Sequence, residues 1–200
     1  MKIPVRGVIP AVAVCITMAV ALAGPTHAVQ TSGDVERFTA FAVNMGDFGP
    51  ARSDMVDIVI SRWSTAAERD RLVNVLFEKG ADALLAALQD TPSVGYIRTP
   101  NSLAYDLRFA KEIPGEDGGR RIILVTDRPI GTWEAVHRPR TIDYPFTLIE
   151  IRVNRDGEGE GKMSIAARIT ANKASNTIEL EDYAIQPVRL MSVQRAELTK

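Results

Sequence analysis

The chain has 200 residues, 24 basic and 25 acidic side chains, and a formal net charge of −1. That balance gives it no general pull on nucleic acid or on an anionic membrane surface. Its single cysteine, Cys15, excludes an intrachain disulfide, and a chain processed after that position could use neither thiol catalysis nor thiolate-bound metal.

Residues 1–28 read as a secretory signal peptide. Lys2 and Arg6 form a basic start, Val8 to Gly24 is apolar, and Thr26-His27-Ala28 ends on a small residue. The apolar run is short for a membrane span, and Pro10 interrupts it. Cleavage after Ala28 would leave residues 29–200 as a single β-rich globular domain. It would be exported to the periplasm or the extracellular space, with no stable membrane insertion after signal cleavage.

Arg37 to Met45 is the first expected strand, followed by a turn at Gly46-Asp47-Phe48-Gly49-Pro50. Asp54 to Trp63 is the second. Val56, Ile58 and Ile60 point one way and Met55, Val59 and Trp63 the other, so the strand should be central or covered on both faces. The period then lengthens. Thr65-Ala66-Ala67-Glu68 is a capping box, in which hydroxyl and carboxylate satisfy free amides at a helix start. Leu72, Val73, Leu76 and Phe77 follow at helical spacing up to Gly80, and Leu84, Leu85 and Leu88 mark a shorter helix stopped by Thr91-Pro92.

Strands resume at Val94 to Arg98. Leu103, Tyr105, Leu107 and Phe109 alternate with Ala104, Asp106, Arg108 and Ala110, and a Gly-rich loop leads to Ile122-Ile123-Leu124-Val125, expected to be buried on both faces as half of an antiparallel hairpin. From Pro145 to Val193 a β-meander is expected. Within it Met163, Ile165, Ala167, Ile169 and Ala171 share one face. A phase slip at Glu181-Asp182 suggests a bulge, and Pro187 an edge or bend. The order predicts an α+β domain, mainly antiparallel β: a curled sheet or barrel of about eight strands, with a two-helix insertion after the second strand.

The segments Ile60-Ser61-Arg62-Trp63-Ser64, Val94-Gly95-Tyr96-Ile97-Arg98-Thr99-Pro100, Thr126-Asp127-Arg128-Pro129-Ile130 and Tyr144-Pro145-Phe146-Thr147-Leu148-Ile149-Glu150 resemble those of a family of uncharacterised secreted bacterial proteins. The resemblance implies an exported single domain. It implies no activity, cofactor or catalytic residue.

Chemistry is limited by what is missing. His137 is the only histidine beyond the leader, and no Gly-x-Ser-x-Gly elbow, phosphate loop or His-Glu-x-x-His motif occurs. The segment from Arg128 to Tyr144 gathers Arg128, Arg138 and Arg140 with Trp133, Glu134, His137 and Tyr144. Guanidinium groups grip carboxylate or phosphate and Trp133 offers a flat wall, so Arg128, Trp133, Arg138, Arg140 and Tyr144 are candidate ligand-binding residues. Glu134 and His137 are candidate proton-transfer groups. The bland alternative is that Trp133 plugs the domain and the arginines pair with Asp127, Glu134 and Asp143.

Asn154 to Gly161 places acidic residues at alternate positions, yet a calcium loop would need a bidentate Glu where Ile165 stands, and a solvated hairpin fits better. Phe38, Phe41, Trp63, Tyr96, Tyr105, Phe109 and Phe146 could line a ligand cavity or fill a core. No cofactor or metal is expected. The reading is an exported, non-enzymatic domain that binds a small molecule or an envelope partner. The alternative is a carboxylate/His-dependent hydrolase or isomerase with its site in residues 128–144.

Overall fold

The computed structural model describes residues 35–43, 53–100, 103–115, 118–130, 143–182 and 187–196. The expected signal peptide, the turn at 46–50 and most of the Arg128–Tyr144 loop lie outside these. The elements in order are β1 (Glu36–Val43), β2 (Ser53–Ile60), α1 (Ala66–Lys79), α2 (Ala81–Gln89), β3 (Gly95–Arg98), β4 (Tyr105–Pro114), β5 (Arg120–Thr126), β6 (Phe146–Val153), β7 (Glu158–Asn172), β8 (Thr177–Asp182) and β9 (Val188–Ala196).

Every pairing is antiparallel, and each strand from β1 to β7 pairs with its successor. The ring closes because β9 lies between β7 and β1. Eight strands thus form a closed barrel, with β8 attached outside the ring to the far half of β7. Ala167 pairs with Phe146 on one side and Asp182 on the other, so β8 occupies the β7 edge that β9 occupies lower down.

The barrel is filled by its own side chains. Phe38, Ile58, Ile97, Leu107, Ile122, Leu124, Ile149, Ile151 and Leu190 point into the lumen with almost no exposure. Burying a side chain of this size contributes roughly 1.5–3 kcal/mol. A second apolar layer lies outside the wall. Leu72, Leu76, Leu84 and Leu88 of the helices pack on Val125, Phe146 and Ile169, with Phe109 and Leu148 alongside.

Local chemistry places the helices as expected. The Thr65 hydroxyl accepts the Glu68 amide at 3.1 Å, and the Glu68 carboxylate accepts the Thr65 amide at 2.8 Å. Arg62 grips the same carboxylate with two 3.0 Å bonds, which holds Glu68 below its usual range. Gly80, at φ +89°, ends α1 and begins α2, a backbone state that side-chain-bearing residues rarely adopt.

Three bulges rearrange the expected faces. Leu107 pairs with Thr126 but Phe109 with Val125, so β4 carries an extra residue near Arg108. Its strict alternation therefore fails: Leu107 and Ala110 both enter the lumen, while Phe109 meets the helices. In β7 the shift falls between the partners of Phe146 and Leu148. The expected single face splits: Met163 and Ile165 join the lumen, Ile169 and Ala171 the helical layer. In β9 the shift accompanies Ser192 at φ +50° and turns both Leu190 and Val193 inward. In β4 and β7 the bulge lets one strand serve two cores.

β2 is central, paired with β1 on one edge and β3 on the other, while its outer face carries exposed Met55 and ion-paired Asp57 rather than a second cover. β8 ends at Asp182 on β7 and β9 starts at Val188 between β7 and β1, in keeping with a break at Pro187, while residues 183–185 of the expected bulge lie outside the described residues. The 156–161 turn is shorter than expected, because β7 already begins at Glu158. Gly159 is required there by close approach, since a Cβ would lie 1.9 Å from the Arg152 carbonyl oxygen.

Candidate functional site

Three nearly buried carboxylates stand out, and arginine engages all of them. Glu36 points into one end of the barrel, where Arg120 binds it through both nitrogens. Glu112 lies 3.3 Å from Arg120, Arg195 approaches Glu36 at 3.5 Å, and the Arg120 guanidinium sits 5.7 Å from the Phe38 ring centre. On the outer wall Asp57 takes Arg37 at 2.6 Å and Arg98 at 3.2 Å. Glu150 takes Arg121 and Arg152 at 2.9 Å each and Lys162 at 3.4 Å. Burial pushes the Glu150 carboxyl up, but these cations outweigh it and hold the group below its usual range. Such a carboxylate stays ionised at neutral pH and is a poor general acid.

The other end of the barrel is closed by a turn. The buried Thr126 hydroxyl donates to the Arg128 carbonyl and accepts the Thr147 amide at 3.1 Å. The Thr147 hydroxyl donates to the Ile165 carbonyl at 2.6 Å, and Ile130 enters the lumen core beside them. Arg128 therefore serves the fold with its backbone. Its side chain lies over the Tyr105 ring, 4.7 Å from the centre, and reaches the Ala104 carbonyl at 3.4 Å.

Tyr144 also is described: its hydroxyl donates to Glu181 at 2.6 Å, which raises its pKa. Trp133, Glu134, His137, Arg138 and Arg140 lie outside the described residues. Asp127, a proposed partner of that loop's arginines, takes Arg108 at 3.1 Å. The structure thus places Arg128 and Tyr144 in separate local contacts. The acidic loop is a hairpin: the Asn154 side-chain oxygen accepts the amides of Asp156 and Glu158 at 2.9 and 3.0 Å. Among the described residues, no group of three or more His, Cys, Asp or Glu side chains could hold a metal ion.

The aromatic residues do not line one cavity. Phe38 is in the lumen, with Trp63 and Tyr105 packed against that core. Phe109 and Phe146 face the helices, and Phe41 is exposed. Among the described residues, space for a ligand lies outside the barrel wall. A cleft of about 390 Å³ opens where the α1–α2 junction meets the far half of β7. Leu76, Phe77 and Ala171 give it apolar walls, and Lys79, Arg168 and Lys173 supply charge. Sequence reading missed it. Arg168 was visible as an outward member of an alternating strand, but nothing brought it to the last turn of α1.

No helix among the described residues is long and apolar enough to cross a membrane. No family model, curated protein or solved structure matches the chain.

Proposed function

We propose that the protein is an exported, non-enzymatic domain that binds a small molecule outside the barrel, in the cleft between β7 and the α1–α2 junction. The filled lumen carries this reading. A small barrel that carries a ligand inside needs empty interior volume, and here Phe38, Leu107, Leu124, Ile149 and Leu190 occupy it. The cleft volume falls at the small end of ligand sites, which run from roughly 300 to 1,000 Å³.

The test is a thermal-shift screen against metabolites, lipids and envelope components. A ligand at a hundred times its Kd stabilises by about 2.7 kcal/mol, or roughly 5–10 °C for a domain of this size. The shift should vanish in Ala171→Trp, which fills the cleft. A screen with no shift, or a shift indifferent to that substitution, refutes the reading. Export is checked by finding the product in the periplasm or medium with Val29 at its N-terminus.

One observation favours an envelope partner as a second reading. Phe41 pairs directly with Met55 and with Met191 on the outer wall, and the three are 47, 48 and 43% exposed. Clustered apolar exposure of this kind marks contact surfaces. Crosslinking from position 55 would retrieve such a partner, and Phe41→Ser in the same chain would abolish the product. The hydrolase or isomerase alternative rests on Glu134 and His137. It requires turnover that both Glu134→Gln and His137→Asn remove.

A further inference from the structure

We infer that the cleft selects an anion: a carboxylate or phosphate head on a short apolar body. This rests on the cleft being the ligand site. Three observations support the sign of the charge. The cleft presents Lys79, Arg168 and Lys173 against a single acid, Glu78. Among the described residues, none of the three cations is in an ion pair, whereas the arginines around the buried carboxylates Glu36, Asp57 and Glu150 all are. Glu181 stands directly across the strands from Arg168, yet its carboxylate accepts the Tyr144 hydroxyl instead.

The rest of the cleft sets the shape of the ligand. Leu76, Phe77 and Ala171 suit a short hydrocarbon body, and the cations lie in the lining with them. A guanidinium fork suits carboxylate and phosphate equally, and the lysines add mobile point charges. The head would bridge Arg168 on β7 and Lys79 at the end of α1, tying the helical layer to the barrel wall.

Titration of the protein with octanoate, monooctyl phosphate and uncharged octanamide, followed by amide NMR shifts, tests this. Both anions should shift the amides of Gly80, Ala81 and Ala171, and octanamide should bind at least about tenfold more weakly. Lys79→Gln, Arg168→Gln and Lys173→Gln should each weaken the anions roughly fivefold without lowering Tm, since all three side chains are exposed. Lys173→Arg should restore binding. The tighter of the two anions identifies the head. If octanamide binds as tightly at the same amides, the charge inference falls while the cleft remains a ligand site. If no probe shifts those amides, both fall.

Discussion

Arg120 offers the sharpest test of how the barrel end is held. Its side chain is 17% exposed and that of Glu36 is 10% exposed. Glu36 raises the Arg120 pKa further, by hydrogen bonding and by its charge. Arg120→Met removes the fork and leaves Glu36 charged at the lumen mouth. Breaking a buried pair from one side costs about 3–5 kcal/mol. Arg195, at 3.5 Å, remains to share the charge, so we expect a cost at or just below the lower end of that range, about 2–3 kcal/mol. The matched double substitution Glu36→Leu with Arg120→Met removes both charges, and should cost less than about 1 kcal/mol. Urea denaturation of the wild type, both single variants and the double variant measures the coupling directly. A loss under about 1 kcal/mol for Arg120→Met, or a double variant as damaged as the two singles summed, would refute the argument.

Further expectations follow from the other sites. Glu150 has a lowered folded pKa, so the stability it contributes is complete above the unfolded carboxylate value of about 4.3 and is lost as pH falls through the folded value. The gap between wild type and Glu150→Gln should narrow across that acid window, and a gap constant with pH argues against the pairing. Thr65→Ala should cost about 1 kcal/mol through the lost cap, read as a lower urea midpoint with unchanged slope. Leu124→Ala should cost about 2–5 kcal/mol, because the lumen is packed on all sides. Gly159→Ala should cost at least about 2 kcal/mol through the clash with the Arg152 carbonyl. It should also speed hydrogen exchange at Val153, and normal exchange there would contradict the close approach of β6 and β7.

How far the architecture could be read ahead depends on which interactions are local. The capping box, the Gly80 junction and the antiparallel neighbours each lie within a few residues or one hairpin, and all were legible. Closure was not, because it depends on β9 inserting between β7 and β1, at long separation in the chain. The bulges were invisible for a related reason. Met163 to Ala171 has a continuous two-residue period, and only the register against β6 reveals the change of face. Pairings made by closure and docking were not legible either. Glu36 and Arg120 meet only when the barrel closes, and Lys79 and Arg168 only when the helices dock. The arginine-rich loop drew attention by composition; of its candidate residues the structure describes Arg128, on Tyr105 and in the turn, and Tyr144, on Glu181.

β8 carries a last consequence. A closed ring has no rim on which another chain could build, but β8 hangs outside the ring and pairs on one side only among the described residues. Ile178 and Leu180 lie bare on it, the kind of strip that nucleates stacking between molecules. Glu179 and Glu181 alternate with them, so two copies meeting there would set acid against acid. The strand is in that sense fenced by its own charges, and neutralising those glutamates should promote edge-to-edge association through β8.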